Sequence, residues 1–514
     1  MSSTVRGDRA TAVVIGGGLA GVTAALRLAE AGLAVTLVEG RPRLGGLAFS
    51  FQRGNLTVDN GQHVFLRCCT AYRGLIDRLG AGRLVSLQRR LDVPVLDVAG
   101  ARPGSTAGLR LGRLRRTGLP VPLHLAASLA TYPHLSAVER LRVVRAALAL
   151  YGLDPADPAL DDRSFGDWLR QYRQSPRTLE ALWDLVGVAT LNATADQVSL
   201  ALAAMVFKTG LLSAPGASDI GWADAPLGVL HHDTALDALH RGGVRVLLRA
   251  RATSLKSSAG GTDSPGVDGS DADRGTPQGS STHGRATPGH DRHIVRVEGD
   301  KLPAGGELLP ADTVVLAVPQ DAAADLLPPD SIDDQDRLRR LGTSPILNVH
   351  VVYDRKVLRR PFLAGIGTPV QWVFDRTRHS GLAAQDQHAQ YLALSQSAAY
   401  DEIDLPVAEL RRRYLPELER LLPATRDAQV LDFFVTRERT ATFDPAPGSA
   451  RLRPGARTRT PGLLLAGAWT ATGWPATMEG AVRSGHTAAD EALAALGHRR
   501  ADLTAAYAAG RWPR

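Results

Sequence analysis

The 514 residues include only two cysteines, Cys68 and Cys69, and adjacent cysteines are too constrained to form an ordinary structural disulfide. A disulfide-stapled secreted scaffold is therefore excluded, and a reducing compartment fits. Aromatic residues make up 5% of the chain, too few to interleave with arginine as surfaces that bind nucleic acid do. No apolar run approaches the ~18 to 20 residues of a spanning helix. Val13-Val14-Ile15 runs straight into three glycines instead of a signal-peptide core and cleavage site. The expected location is cytoplasmic, with any membrane contact peripheral and on the inner face. No large excess of either charge is present: 60 basic residues stand against 52 acidic ones, a net +8. That balance suits an anionic cofactor or an anionic surface without arguing for nucleic acid.

At roughly 150 residues per domain the length allows about three units, or two large interleaved ones. Residues 12–39 read as strand, glycine-rich turn, alanine-rich helix and strand, half of a doubly wound sheet. From about 105 to 150 the chain is basic and apolar, ending in an amphipathic helix from Ser136 to Leu150. It reads either as a helical subdomain with a solvated basic face or as a surface that dips into a membrane interface. Helical patterns continue through Phe165–Gly210, with Leu179, Leu182, Trp183 and Val186 on a buried face. A helix from Asp233 to His240 leads into a strand at Val244–Leu248. Residues 256–291 are so poor in apolar side chains that a disordered loop inside a hairpin is expected, with strands resuming at His293–Val297 and Thr313–Val318. Strand-like runs at Leu347–Tyr353, Val370–Phe374, Tyr391–Ser395 and Val430–Val435, with a helix near Val407–Leu422, predict a second, mostly antiparallel sheet.

The densest chemical signal is at the start. Gly16, Gly18 and Gly21 follow a strand and open a helix, and Glu39 ends the next strand. Gly16 permits the tight turn, Gly18 lets backbone approach a pyrophosphate, and Gly21 lets helix and strand pack closely. The Glu39 carboxylate can accept hydrogen bonds from ribose hydroxyls and would repel a 2′-phosphate, so the ligand is FAD or NAD. Arg41-Pro42-Arg43-Leu44-Gly45-Gly46 then offers guanidinium and backbone amides to the same pyrophosphate. Near the other end, Leu463–Gly467 reads as a strand and Thr477-Met478-Glu479-Gly480 as a helix start, which can stabilise negative charge. His231-His232-Asp233 reads as a helix N-terminus capped by Asp233 and not as a metal site, and no metal is expected. Cys68 and Cys69 read as packing residues with no basic cluster beside them.

The extension 41–46 resembles the amine oxidase and phytoene desaturase superfamily of FAD proteins. The stretches Asp59-Asn60-Gly61-Gln62-His63-Val64-Phe65-Leu66 through Thr70, and Trp469 to Gly485, resemble its squalene-associated branch, the hydroxysqualene dehydroxylases. The likeness spans nearly the whole chain outside 256–291. It implies an α/β Rossmann-like FAD-binding domain of the GR2 amine-oxidase type, with a discontinuous α+β substrate domain holding a mixed, mostly antiparallel sheet and a helical subdomain. The expected boundaries are 1–100, 225–325 and 455–500 for the FAD domain, and 101–224 and 326–454 for the substrate domain. FAD would contact Gly16, Gly18, Gly21, Glu39, Arg41, Gly45, Gly46, Gly467, Thr477, Met478 and Glu479. The substrate would be a C30 isoprenoid alcohol, reduced to squalene by hydride from reduced flavin after water leaves, inside an apolar tunnel. The electron donor would be NADPH acting through another reductant. His63 is the first candidate for the acid and Gln62 for orienting the hydroxyl, whereas Glu479 is either an acid, a cap of its own helix or a ribityl contact. One position departs from the family pattern: Gly467-Ala468 stands where the family has Gly-Asp, whose carboxylate is expected to hold the ribityl chain. Two alternatives remain at this level, a carotenoid-type desaturase or amine oxidase, and a non-catalytic prenyl-binding protein of the GDP-dissociation-inhibitor type.

Overall fold

The computed structural model describes residues 9–101, 107–257 and 293–498. The first unit is strand β1 (Thr11–Ile15), helix α1 (Leu19–Glu30) and strand β2 (Ala34–Glu39). Val13, Val14 and Ile15 are all buried, which is why β1 is a continuous apolar run and not an alternating one. Five strands pair in parallel in the order Arg245–Leu248, β2, β1, Thr313–Leu316, Leu463–Leu465. One sheet thus gathers segments more than 400 residues apart. α1 lies against helix Met478–Ala495, so the two ends of the chain share one helical layer.

A second sheet has seven strands in the order Val430–Phe443, Thr343–Tyr353, Gln390–Ser397, Trp372–Asp375, Phe362–Ile366, Asp92–Asp97, Arg110–Arg115. Only the pairing of Phe362–Ile366 with Asp92–Asp97 is parallel, so the sheet is mixed and mostly antiparallel. Strand Asp92–Asp97, inside the 1–100 segment expected in the cofactor domain, is hydrogen bonded into this sheet. A helical layer completes the substrate side, with Phe165, Trp168, Trp183 and Phe207 forming an aromatic cluster at ring separations of 5.2 to 6.1 Å. Helix Ala137–Tyr151 starts at a capping box, in which Ser136 and Glu139 satisfy each other's backbone amides. The fold is that of a Rossmann-like parallel unit joined to an α+β unit with a helical part.

Strands Ala250–Ser257 and His293–Gly299 pair antiparallel, with Lys256 opposite Ile294 and Ser257 opposite His293. Lys256 and Ser257 therefore belong to the hairpin and not to the expected disordered insert; the rest of that segment, 258–291, lies outside the described residues. No described helix is long and apolar enough to cross a membrane.

Candidate functional site

The pyrophosphate end is built from backbone. Gly16 adopts φ +110°, and a Cβ at Gly21 would collide with the Gly16 carbonyl oxygen, so the turn and the close helix both require glycine. α1 begins at Gly18 with no side-chain cap, leaving its first amides to a ligand. Glu39 accepts from the Gly17 amide at 2.7 Å and the Arg41 amide at 2.7 Å, one bond on each carboxylate oxygen. Each oxygen keeps a lone pair for a ribose hydroxyl. The second glycine pair folds back onto the first: Gly45 donates to the Gly17 carbonyl at 2.9 Å, and a Cβ at Gly46 would lie 3.0 Å from Gly18 Cα. These features fit the pyrophosphate and ribose of FAD, as a capped helix or bulky side chains in the cradle would not.

Arg41 meets this cradle through its backbone, and its side chain is exposed. Arg43 is the guanidinium inside. Its Nη1 donates to the Gly46 carbonyl at 3.0 Å, it stacks 3.4 Å from the Phe49 ring centroid, and burial holds its pKa below the usual arginine value. Nothing in the sequence separates the two arginines, because the choice depends on which way the chain turns after Glu39.

At the other end, Thr477 caps helix Met478–Ala495 by accepting from the Gly480 amide at 3.1 Å. Gly467, at φ +145°, donates to Ser484 Oγ at 2.8 Å, joining the strand end to that helix. The loop between them is gathered by buried Arg453, whose guanidinium donates to the carbonyls of Ala468, Trp469, Thr470 and Trp474. Burial without a directly bonded carboxylate lowers the Arg453 pKa to about 10.

Glu479 does not cap its own helix. Its buried carboxylate accepts from the amides of Ala71 at 3.1 Å and Tyr72 at 2.7 Å, the first turn of helix α2 (Thr70–Arg78), and from Arg483 Nε at 2.7 Å. It is thus the cap of α2, where an anion is favoured. No sequence pattern could reveal this, since the partners lie some 400 residues apart. The network continues from Tyr72, whose hydroxyl donates to His231 Nε2 at 2.8 Å, while His231 Nδ1–H donates to the Ala48 carbonyl at 3.1 Å. Burial holds the His231 pKa down to about 4, so this ring is neutral.

His231 lies in a π turn, Val229–Asp233, that continues as helix Thr234–Arg241. Asp233 is therefore inside a helical stretch and caps nothing, because the helix starts a turn earlier than its polar signal suggests. His232 turns away from His231 and accepts from the Leu44 amide at 3.1 Å. Among the described residues no cluster of three His, Cys, Asp or Glu side chains could hold a metal ion.

Between the two ends runs the segment 59–63. Asp59 is buried against Arg376 at 2.6 Å and also accepts from Ser50 Oγ and the Leu227 amide. Asn60 accepts from the Phe49 amide and donates to the Leu47 carbonyl and to Glu438. Its own carbonyl accepts from Asn348 and Thr436. One buried asparagine therefore fixes the loop after Gly45-Gly46 against two strands of the second sheet. Gln62 lines a polar crevice with Thr57, Asp59, Arg376, His379, Ser380 and Tyr391. Its Nε2 is buried and meets no acceptor among the described residues. His63 Nδ1 lies 3.2 Å from the Gly61 carbonyl, and burial lowers its pKa below the ordinary histidine value. Cys68 and Cys69 are free. A hydrogen bond from Cys69 is the main cause that lowers the Cys68 pKa, burial and Glu479 oppose it, and Arg483 adds only a small further lowering, so no basic cluster activates the thiol.

The model of the family described as flavin containing amine oxidoreductase matches residues 19–277 and 289–493. A hydroxysqualene dehydroxylase of Rhodopseudomonas palustris is 30% identical, covering 94% of this chain and 99% of the relative. One from Sinorhizobium fredii is 28% identical, covering 93% and 97%. Among solved structures, a putrescine oxidase redesigned for cofactor binding superposes with a TM-score of 0.64 at 19% identity, over 95% of this chain and 99% of the other, a likeness of fold alone. The glycine cradle, the acidic ribose partner and these near full-length matches lead to one conclusion: the chain belongs to the flavin-containing amine oxidoreductase family, in its hydroxysqualene dehydroxylase branch, and is an FAD-dependent oxidoreductase.

Proposed function

We propose that this enzyme reduces hydroxysqualene, a C30 isoprenoid alcohol, to squalene. The observation that carries the reading is the match, over 94% of the chain, to an enzyme of that name. The balance is simple: the alcohol, a proton and a hydride give the hydrocarbon and water. The C–O bond breaks with its electron pair going to oxygen, the proton completes water, and a C–H bond forms at the allylic carbon. Reduced FAD, when bound, supplies the hydride.

The protein's share is proton placement and electrostatics. Gln62 is assigned to orient the hydroxyl, a reading supported by its buried Nε2–H, which has no acceptor among the described residues. His63 is assigned the proton. Its lowered pKa makes the imidazolium scarcer at pH 7 than for a free histidine but a stronger acid when present. The capped start of helix Met478–Ala495 favours the negative charge of a reduced ring. Glu479 is fully engaged in holding α2 and takes no proton-transfer role.

The test is anaerobic incubation of FAD-reconstituted protein with dithionite and hydroxysqualene, with products read by mass spectrometry. Squalene formed in proportion to reduced flavin is expected. Unchanged hydroxysqualene, together with desaturation of phytoene by the oxidised enzyme, would move the chain to the desaturase reading.

A further inference from the structure

Helix Ala137–Tyr151 carries apolar residues on two opposite faces. Val143, Ala146 and Leu150 are buried, as the inward stripe of a surface helix should be. On the other side Val138 (56% exposed), Leu141 (73%), Val144 (44%), Leu148 (55%) and Tyr151 (57%) stand in solvent at spacings of three and four residues, so they form one continuous stripe. Single exposed leucines are ordinary, whereas five large apolar residues along four turns of one helix are not. Two more exposed leucines, Leu119 and Leu123, lie in the segment that leads to it.

Basic residues outnumber acidic ones around the stripe. Residues 107–153 contain seven arginines and one acidic residue, Glu139. Glu139 is tied to Ser136 and Ser175 at the helix start, and hydrogen bonds to both hold its pKa below the usual carboxylate range. Arg110, Arg113 and Arg116 pair with Asp97, Asp92 and Asp219. Among the described residues Arg115, Arg140, Arg142 and Arg145 form no ion pair. Arg140 is engaged with the carbonyls of Ala130 and Tyr132, which leaves Arg142 and Arg145, the latter 5.9 Å from the Tyr172 ring, as the helix's cations for a partner beside the stripe. Lys208 adds a cation near Tyr151 at its far end, 5.8 Å from the ring.

We propose that this face docks on a lipid bilayer containing anionic headgroups, with the stripe in the acyl boundary and the arginines at the phosphates. An apolar stripe flanked by arginine matches the layering of a bilayer surface. A second copy of the chain is a poor occupant, because symmetric pairing would bring Arg142 and Arg145 against their own counterparts. The inference does not depend on the identity of the substrate. Its readout is binding without turnover, so its failure would leave the catalytic reading untouched.

The experiment is flotation of the full-length holoenzyme with phosphatidylcholine vesicles, with and without 30% phosphatidylglycerol, compared with Leu141→Asp/Leu148→Asp and Arg142→Glu/Arg145→Glu. Leu141, Arg145 and Leu148 are exposed and Arg142 is half-buried, and unchanged far-ultraviolet circular dichroism and flavin absorbance would show that the variants are folded. The wild type is expected to float with anionic vesicles and to release as salt is raised. The leucine variant should lose at least tenfold in partitioning, and the arginine variant should lose its preference for phosphatidylglycerol. Flotation that survives both pairs of substitutions would overturn the proposal. So would a wild-type protein that stays at the bottom of the gradient, or one that forms a dimer without lipid that the leucine variant dissolves.

Discussion

Replacing Glu479 by alanine separates a structural role from a cofactor contact. The side chain is completely buried and accepts two amide hydrogen bonds at the start of α2, at 3.1 and 2.7 Å, plus one from Arg483. Bonds to a charged acceptor contribute about 1.5–3 kcal/mol each, and an amide left buried without an acceptor costs about 1–3 kcal/mol. Arg483 is 39% exposed and can turn to water, so its bond adds little. The two amides therefore set the size of the effect, and E479A is expected to lose about 3–5 kcal/mol. Glu479→Gln keeps one acceptor oxygen and should lose roughly half as much. The assay is guanidinium unfolding of the apoprotein followed by circular dichroism, with flavin removed so that ligand linkage does not enter. A residue whose task is to touch the ribityl chain would leave apoprotein stability intact and weaken only FAD binding. Apoprotein E479A within about 1 kcal/mol of wild type would therefore refute the assignment of Glu479 as the cap of α2, against the energies expected for such bonds.

Three further outcomes are expected. Ala468→Asp restores a carboxylate on a loop already held by Arg453 and should tighten FAD binding about tenfold, the worth of one ~1.4 kcal/mol hydrogen bond; equal dissociation constants in a fluorescence titration would count against a ribityl partner at this position. Burial raises the Asp184 pKa from 3.8 to about 6, so the folded state binds that proton more tightly than the unfolded one. The resulting stabilisation is whole below about pH 4 and is lost as pH rises through 6. Asp184→Asn keeps the acceptor for the Ala195 amide and should raise thermal stability above pH 6, by up to about 3 kcal/mol, while changing nothing at pH 4. For His63, lowered pKa and proton donation together require squalene formation to speed up as pH falls below 6.5, with a profile that flattens in His63→Gln; a rate that rises toward pH 8 would remove the imidazolium from the step.

The parts of the fold written in local pattern were legible. The change of period across 12–39 gave β1, α1 and β2, because an apolar strand, three glycines and an alanine-rich helix are contiguous. The strands Thr343–Tyr353 and Gln390–Ser397 were visible as apolar runs. Phe362–Ile366 was missed, since Phe-Leu-Ala-Gly-Ile is short and carries small residues, and its strand identity comes from neighbours on both sides. The helix containing His231 was placed a turn late, because Asp233 resembles a cap while the real start at Gly228 has no capping side chain.

At the site, the glycines and Glu39 declared themselves through spacing. Asn60, Arg376, Asn348 and Arg453 did not, because their roles depend on contacts between segments 288 to 378 residues apart, or on a loop's carbonyls turning inward. Glu479 reads in the sequence as an acid, a cap of its own helix or a ribityl contact, whereas its carboxylate caps α2 instead. The same physics applied, an anion at a helix N-terminus, but the helix was one that only the tertiary structure brings near.

The proposed function requires a bound flavin ring to lie near Gly45-Gly46 and the start of helix Met478–Ala495, within reach of Gln62 and His63. A crystal structure of the FAD-reconstituted enzyme tests this directly. It should show the ring between those two elements, the pyrophosphate on the first turn of α1 and a ribose hydroxyl on Glu39. A ring bound elsewhere, or a full site in which side chains occupy that space, would contradict the account.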